Sequence, residues 1–430
     1  MDKKKALLVR ILIGFILGSL LGLGLSKWCS SETLSRLMPF IEPFGNVLVS
    51  MLKMVVYPII LFSLIYGAAS IPLKKSGRVG GLVMLWYFAT SVFATVFGVA
   101  LAWLMNPSVN GAKELASTYM EGANKITTST AANSFGDFIV GIFQNPFAAL
   151  ADGLFLPIIV FAIAFGLAAR CIIDAAGENA SPVRTMISVI DGAQQAMFKL
   201  IDWVMLYFPF GVFALSLVNF AQNGTLLFGP YLRIALCVIV GVAAMMFIIY
   251  PLAMAIFCRE NPLKVLRKIR PAMLTAFVTR SSAATLPVSF KSMDDLGVSR
   301  SLSSFSLPMG ATVNMDGVCV HLPVFVILAA NMFGYDLSLS QIAMLCLSIM
   351  FASVGAGGIP GGSVFLLFMV LEGMGLQADQ VSLVVALALG INPILDMFET
   401  SCNVTGDNVC TYIVAKKNGM VDESSCKEYL

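Results

Sequence analysis

Long apolar runs, each able to cross a lipid bilayer as a helix, recur along this 430-residue chain. A spanning helix needs about 20 apolar residues. The chain is 58% hydrophobic and only 12% charged, whereas soluble domains average about 25% charged. We therefore predict an all-α polytopic membrane protein whose partner is the lipid bilayer and not nucleic acid. The clearest runs lie near residues 6–25, 44–71, 79–105, 135–173, 195–220 and 229–257, and the fourth is long and broken at Asn145-Pro146 and Asp152-Gly153.

Basic residues predict how these spans are oriented. Lys and Arg mark the cytoplasmic side of a membrane protein, and here they cluster in 1–5, 74–78, 258–270 and 415–419. The loop 106–133 is rich in Ser, Thr and Asn and should lie outside. No A-x-A-like cleavage site follows the first run, so it is interpreted as a retained span. Both termini are expected in the cytoplasm, with the protein in the cell (inner) membrane.

The nine cysteines lie in apolar stretches without C-x-x-C spacing. This pattern is typical of small buried residues and not of a disulfide framework or a metal site.

Small and polar residues interrupt the apolar pattern after residue 270. The interruptions are "TRSSAATLP" (279–287), "GATVNMDG" (310–317) and "SVGAGGIPGG" (353–362). Non-helical backbone at membrane depth must be buried in protein or line a wet cavity, and paired breaks of this kind indicate the central site of a transporter. The alternative is that Gly and Ser only allow close helix packing.

Five charged residues are predicted at membrane depth: Arg280, Asp316, Asp396, Glu399 and Asp407. Each is costly there, by at least ~2.5 kcal/mol on insertion scales. One Arg against four carboxylates leaves a charge of −3, which structural ion pairing cannot neutralise but bound cations can. Carboxylate, amide and carbonyl oxygens suit Na⁺ or H⁺ better than a transition metal.

Helical spacing places several of these residues together. Offsets of 0, 3, 4, 7 and 11 put Asp396, Glu399, Thr400, Asn403 and Asp407 on one helix face.

Thr90 and Ser91 offer two further oxygens, although Ser and Thr also serve as internal hydrogen-bonding groups in membrane helices. The lone His321 is interpreted as a packed or hydrogen-bonded residue in preference to a proton carrier.

Four motifs resemble the glutamate/neutral amino acid transporter family, the dicarboxylate/amino acid:cation symporters. They are "FVTRSSAATLP", "LPMGATVNMDG", "GAGGIPGG" and "ILDMFETSCNVTGDNVCTYIVAK". The resemblance implies eight transmembrane helices, re-entrant helical hairpins around Ser281–Ser282 and Gly355–Gly362, and a homotrimer. It also implies an elevator mechanism, in which an inner transport domain moves against a fixed scaffold.

The resemblance divides the chain into consecutive parts. Scaffold helices 1–2 occupy 1–78, and transport-domain helix 3 occupies 79–105. The extracellular loop and scaffold helices 4–5 follow at 106–228, and transport-domain helix 6 at 229–257. The transport core and a short cytoplasmic tail occupy 258–430.

The resemblance also implies three cation sites. One comprises Thr90, Ser91, Asn314 and Asp316 with the backbone of Tyr87. A second comprises Asp407 with carbonyls of Gly310, Asn314 and Asn403. A third comprises carbonyls of Thr312, Ser353, Val354 and Ala356.

The implied substrate site matches the family position by position. Asp396 would bind the amino group, and Asn403 with the Ser282 backbone the α-carboxylate. Further lining residues would be Val318, Ile359, Ser363, Glu399 and Thr400.

Two departures bear on the substrate. Acidic-amino-acid members place Arg where this chain has Glu399, and a hydroxyl residue where it has Val318. Both changes remove partners of a substrate carboxylate. The "ET" followed by Asn resembles the bacterial serine/threonine branch, so a small neutral amino acid co-transported with Na⁺ is expected. A basic amino acid is the runner-up, acidic amino acids or dicarboxylates are less favoured, and H⁺ is the alternative coupling ion.

Ala283 and Ala356 replace side-chain hydroxyls near the hairpin tips. The ligands of the third cation site are chiefly backbone carbonyls, which these two substitutions leave in place, so the third site is still expected.

Two other classes fit the sequence less well. An intramembrane aspartyl protease commonly carries G-x-G-D, whereas Asp407 lies in V-T-G-D. An ion channel would explain cation sites but not partners for an amino group and a carboxylate. We therefore predict a secondary active transporter and no enzymatic activity.

Overall fold

The computed structural model describes residues 3–69, 73–106, 140–141, 143–152, 154–335, 337–354 and 362–422. These parts of the chain are built from helices, with one isolated antiparallel bridge between Val298 and Val421 and no strand. The helices are α1 (Lys3–Trp28), α2 (Ser31–Ala69), α3 (Leu73–Met105), α4 (Pro146–Asp152), α5 (Phe155–Ala176), α6 (Ser181–Asn223), α7 (Phe228–Ala244), α8 (Tyr250–Cys258), α9 (Pro262–Thr279), α10 (Ser282–Asp295), α11 (Arg300–Val313), α12 (Asp316–Phe333), α13 (Leu339–Val354), α14 (Gly362–Gly373) and α15 (Ala378–Lys417).

Within the described residues, eight helical segments are long and apolar enough to cross a membrane, which confirms an all-α, multi-pass membrane protein. The seventh joins α11 and α12 across Asn314–Met315, and the sixth joins α7 and α8 through a π-helical turn at Met245–Ile249. The segments are Val9–Trp28, Glu32–Ala69, Arg78–Met105, Pro157–Ala176, Ser181–Gln222, Tyr231–Cys258, Arg300–Phe333 and Leu383–Lys417.

Several helices are longer than the apolar runs that predicted them. The run at 44–71 is part of α2, which begins at Ser31 and continues through Pro39 and Pro43. The run at 195–220 lies within α6, whose polar first turns begin at Ser181. Hydropathy detects the part of a helix that faces lipid or core, and it misses helical turns that extend beyond the apolar layer.

The breaks expected in the run at 135–173 are present where the chain is described. Helix α4 begins at Pro146 directly after Asn145 and ends at Asp152, and α5 begins at Phe155.

The helices pack in two groups. Helices α1 and α2 each pack along α6, and α2 also packs along α5. Helices α3, α7 and α9 to α15 contact one another, with α15 touching α9, α10, α11, α12 and α14. Helix α15 therefore lies at the centre of the second group, which brings its polar face into protein.

Two of the three sequence interruptions are breaks between helices. Helix α9 ends at Thr279 and α10 begins at Ser282, so "TRSSAATLP" spans a reversal whose two helices pack together. Residue Arg280 has φ = 53°, a left-handed conformation that ends α9. Helix α11 likewise ends at Val313, and α12 begins at Asp316. Residues 355–361 of the third interruption lie outside the described residues.

The cysteine prediction is only partly right. Cys237, Cys319, Cys402 and Cys410 are buried, but Cys171 is exposed on α5. A surface that faces lipid is as apolar as a core, so sequence cannot separate the two for a small thiol.

Candidate functional site

The polar face predicted from the spacing on α15 is real and wholly buried. Taken as whole residues, Asp396, Glu399, Thr400, Asn403 and Asp407 are each at most 5% exposed. A buried carboxylate is costly unless donors or charges compensate it. The partners of these residues therefore define the site.

Asp316 receives hydrogen bonds from two hydroxyl groups. Ser91 on α3 donates to Oδ1 at 3.1 Å, and Tyr250 on α8 donates to Oδ2 at 2.7 Å. Asp316 is fully buried at the first position of α12. The helix break thus places a carboxylate among oxygen-bearing side chains.

Asn314 links the first predicted cation site to the second. Its Oδ1 lies 3.3 Å from Thr90 Oγ1, and its Nδ2 donates to Asp407 Oδ1 at 2.9 Å. Thr90 also donates to the carbonyl of Tyr87 at 3.2 Å. All of the side chains predicted for these two sites therefore converge around one broken helix.

Gly310 makes this convergence possible. A Cβ atom at Gly310 would lie 2.4 Å from Asp407 Oδ1, which is too close for any side chain. The Gly310 backbone therefore approaches the carboxylate directly. Its carbonyl accepts from the backbone N–H of Asn314 at 2.9 Å.

The third predicted cation site is described only in part. The hydroxyl of Thr312 donates to the Met309 carbonyl at 2.9 Å, and that of Ser353 donates to the Met350 carbonyl at 2.7 Å. Val354 ends α13, and Ala356 lies outside the described residues. This site stays a prediction.

The substrate residue Asp396 lies beside Arg280. Arg280 Nη1 is 3.7 Å from Asp396 Oδ2, and both side chains are 6% exposed. Thr400 donates to Asp396 Oδ1 at 3.4 Å. The reversal between α9 and α10 therefore brings a guanidinium to the carboxylate that was predicted to hold the amino group.

The other described residues of the predicted substrate site lie on α15 and on three helices that contact it, α10, α12 and α14. Asn403 Oδ1 accepts from the backbone N–H of Gly317 at 2.7 Å, and Val318 is 4% exposed. Ser282 begins α10 and is 2% exposed. Ser363 on α14 donates to Asn392 Oδ1 at 3.2 Å. Ile359 lies outside the described residues.

Glu399 has a neighbour that the sequence did not predict as its partner. His321 Nδ1 on α12 contacts Glu399 Oε1, and both side chains are 1% exposed. His321 is therefore a buried polar residue in contact with the site. One turn separates it from Val318, and that spacing is the only signal of its role in the sequence.

Tyr250 was also missed. It follows the π-helical turn in an otherwise apolar span, so nothing local marks its hydroxyl as a donor to Asp316. A tyrosine deep inside an apolar run is the signal that could have indicated it, because a buried hydroxyl usually finds a partner.

The charges of the site divide into two kinds. Asp396 lies near Arg280, and Glu399 contacts His321. Asp316 and Asp407 have neutral donors among the described residues, namely hydroxyl and amide groups. Two buried carboxylates with neutral donors and nearby backbone oxygens form an environment that attracts hard cations.

Comparisons with known proteins agree with this arrangement. The model of the sodium:dicarboxylate symporter family matches residues 7–417. The proton/sodium-glutamate symport protein of Bacillus caldotenax is 30% identical over 436 residues, which cover 100% of this chain and 98% of the relative.

Relatives with other named substrates are equally similar. The serine/threonine transporter SstT of Bifidobacterium adolescentis is 31% identical, covering 94% of this chain and 87% of the relative. The human neutral amino acid transporter B(0) is 31% identical, covering 93% and 78%. Identity alone therefore does not assign a substrate. The chain belongs to the sodium:dicarboxylate symporter family, and it is a membrane transporter that co-transports Na⁺ and not an enzyme.

Proposed function

We propose that this protein is a Na⁺-coupled symporter of a small neutral amino acid, with serine or threonine favoured. The observation that carries the proposal is Glu399, a buried carboxylate on the same face of α15 as Asp396 and Asn403. An acidic substrate side chain would meet Glu399 where it needs a cation, and Arg280 lies beside Asp396 instead. The serine/threonine transporter among the relatives supports this choice.

In the proposed site, each polar group has one task. Asp396 binds the substrate ammonium, while Asn403 and the backbone at Ser282 bind the α-carboxylate. Glu399 accepts a hydrogen bond from the substrate hydroxyl. Asp316 and Asp407 bind Na⁺ with oxygens of Thr90, Ser91 and Asn314, which the structure brings together.

Transport is proposed to follow an elevator mechanism in a homotrimer. The packing of α1, α2, α5 and α6 apart from most of the remaining helices supports a scaffold and a moving domain. The reversal between α9 and α10 is proposed as the first re-entrant hairpin, and α13 with α14 as the second. Both termini are proposed to lie in the cytoplasm, and the basic clusters at 1–5 and 415–419 support this orientation.

A basic amino acid is the second candidate, because Glu399 could pair with a cationic side chain.

Uptake into proteoliposomes tests both candidates. Labelled L-serine, L-threonine, L-arginine and L-aspartate are supplied with an inward Na⁺ gradient or with choline and a proton gradient. We expect serine and threonine uptake that requires Na⁺. Equal uptake in choline would refute Na⁺ coupling, and preference for arginine or aspartate would refute the proposed substrate.

A further inference from the structure

We infer that His321 supplies the counter-charge of Glu399, and that this pair decides which substrate side chains the site accepts. The inference rests on the proposed function, because it assumes that Glu399 faces the substrate side chain. It adds His321 on α12 to the residues that determine specificity. The resemblance to the transporter family gave this residue no role.

The two side chains are held together by their helices. Nδ1 of His321 contacts Oε1 of Glu399. A Cβ atom on Gly317 would lie 2.5 Å from the Glu399 carbonyl oxygen, so α12 and α15 approach at backbone distance here. The imidazole also packs on Phe325, with ring centroids 4.9 Å apart and an angle of 61°. The contact is therefore built into the helix packing.

The pair lies next to the proposed substrate groups. Glu399 is one turn after Asp396 and one turn before Asn403 on α15. His321 is one turn after Val318 on α12. Residues three or four apart share a helix face. The pair thus lies on the surfaces that would enclose the substrate side chain.

Charge explains why the pair matters. The buried basic side chains among the described residues are Arg280 and His321, and Arg280 lies near Asp396. His321 is therefore the one described side chain able to bring a positive charge to Glu399. A buried carboxylate without such compensation is strongly destabilised. A positive charge on the imidazole and the negative charge of the carboxylate cancel, so the pair carries no net charge.

A neutral pair still offers polar atoms to a substrate. Glu399 Oε2 and His321 Nε2 are buried and have no hydrogen-bond partner within the described chain. A hydroxyl group of a neutral substrate can bond to either atom without bringing charge. A guanidinium or ammonium side chain would bring a second positive charge to a carboxylate that His321 already compensates. The pair therefore admits neutral side chains and excludes basic ones.

The inference predicts a change of specificity when the histidine is lost. In His321→Gln, Glu399 keeps its charge without a counter-charge. Serine affinity should fall about tenfold or more, because one partner of a buried pair has been removed, while L-arginine affinity rises. In His321→Gln with Glu399→Gln, no charge remains, so serine affinity should return to within about threefold of wild type.

The experiment measures Na⁺-dependent binding of L-serine and L-arginine by calorimetry in detergent for wild type and the variants. His321→Phe is the matched control, because it keeps the aromatic contact with Phe325 and removes both nitrogens. The inferred charge role predicts that His321→Phe and His321→Gln behave alike, and that Glu399→Gln rescues both. Elution profiles and melting temperatures verify that each variant is folded.

Two results would overturn the inference. In the first, His321→Gln binds serine within about twofold of wild type and gains no arginine binding. Such a change is too small for the loss of a counter-charge. In the second, the His321 variants lose serine affinity and the added Glu399→Gln does not restore it, which would make the role of His321 structural. If the wild-type protein binds another neutral amino acid instead of serine, only the proposed substrate is refuted. The same set of variants, measured with that amino acid, then still tests the role of the pair.

Discussion

Asp316 depends on hydroxyl donors that come from two other helices. Tyr250→Phe removes the 2.7 Å bond to Oδ2 and leaves the ring in place. Hydrogen bonds to charged groups contribute about 1.5–3 kcal/mol, so apparent Na⁺ affinity should fall about tenfold. The measurement is the Na⁺ dependence of substrate binding.

The control for this substitution is Tyr231→Phe on α7. Tyr231 is also buried, but its hydroxyl has no hydrogen-bond partner within the described residues. Tyr231→Phe should leave Na⁺ affinity unchanged. Equal effects of the two substitutions would show that the Tyr250 hydroxyl does not support the cation site.

At this scale, sequence predicted the carboxylates but not their partners. Asp396, Glu399 and Asp407 lie on one helix, so their spacing alone places them together. Tyr250 is 66 residues from Asp316. No local pattern encodes a contact of that separation, and the same reason hid His321 as the partner of Glu399.

Helices α12 and α15 hold the site together through Gly317. A Cβ atom there would meet backbone at 2.5 Å, and backbone cannot rotate away as a side chain can. Gly317→Ala should destabilise the protein by more than the ~1–3 kcal/mol typical of overpacking, and it should weaken substrate binding.

Gly192→Ala on α6 is the control for Gly317→Ala, because nothing lies within 4 Å of its added Cβ. Melting temperature and serine affinity are measured, and equal melting temperatures for the two variants would contradict this packing role.

The end of α15 is tied to the turn between α8 and α9. Glu260 contacts Lys416 and accepts a hydrogen bond from Tyr412. Partial burial opposes ionisation of Glu260, but these partners outweigh it and lower its pKa below the ordinary value of 4.5. Since the pKa is lower in the folded state, this stabilisation is complete above pH 4.5 and is lost as pH falls below it.

Glu260→Gln should therefore lower the melting temperature more at pH 7 than at a pH well below 4.5, where the carboxyl group is protonated in the folded state as well. A modest decrease is expected, because the pair is partly exposed and screened by solvent. Thermal unfolding at both pH values tests this. An equal decrease at both would show that the charge of Glu260 does not stabilise this end of α15.

At the scale of elements, apolar runs predicted which helices exist but not where they end. Pro39, Pro43 and Pro58 all lie inside α2, where sequence reasoning expects a boundary. Neighbouring helices can satisfy the backbone groups that a proline frees in a membrane helix. The breaks at Arg280 and Asn314 were predictable, because several small and polar residues interrupt the apolar pattern together.

A hydrogen bond connects the two helix groups. Tyr57 on α2 donates to Glu372 Oε2 on α14 at 2.7 Å. If the groups move against each other, this bond exists in one conformation and breaks in another. Tyr57→Phe should then shift the equilibrium away from this conformation by about two- to tenfold, given ~0.5–1.5 kcal/mol for one hydrogen bond. Spin labels on α6 and α9 would measure the shift as a change in distance populations.

Tyr207→Phe is the matched control for Tyr57→Phe. The Tyr207 hydroxyl donates to the Phe44 carbonyl at 2.8 Å, a bond that joins α6 to α2 within one helix group. Its loss should leave the distance populations unchanged. Identical populations in wild type and Tyr57→Phe would count against relative motion that breaks this contact.

For the whole molecule, sequence predicted the class of protein better than its substrate. Composition and four ordered motifs are properties of the complete chain, and the family match over residues 7–417 confirms what they indicated. The substrate depends on a few side chains, chiefly Glu399 with its unpredicted partner His321.

The central claim is that Glu399 excludes acidic substrates and favours a small neutral one. Calorimetry in Na⁺ with L-serine, L-threonine and L-aspartate, before and after Glu399→Arg with Val318→Thr, tests it most directly. We expect the wild-type protein to bind serine or threonine and the double variant to bind aspartate, because a repulsive charge is replaced by a bidentate partner. A wild-type protein that already prefers L-aspartate would contradict the claim.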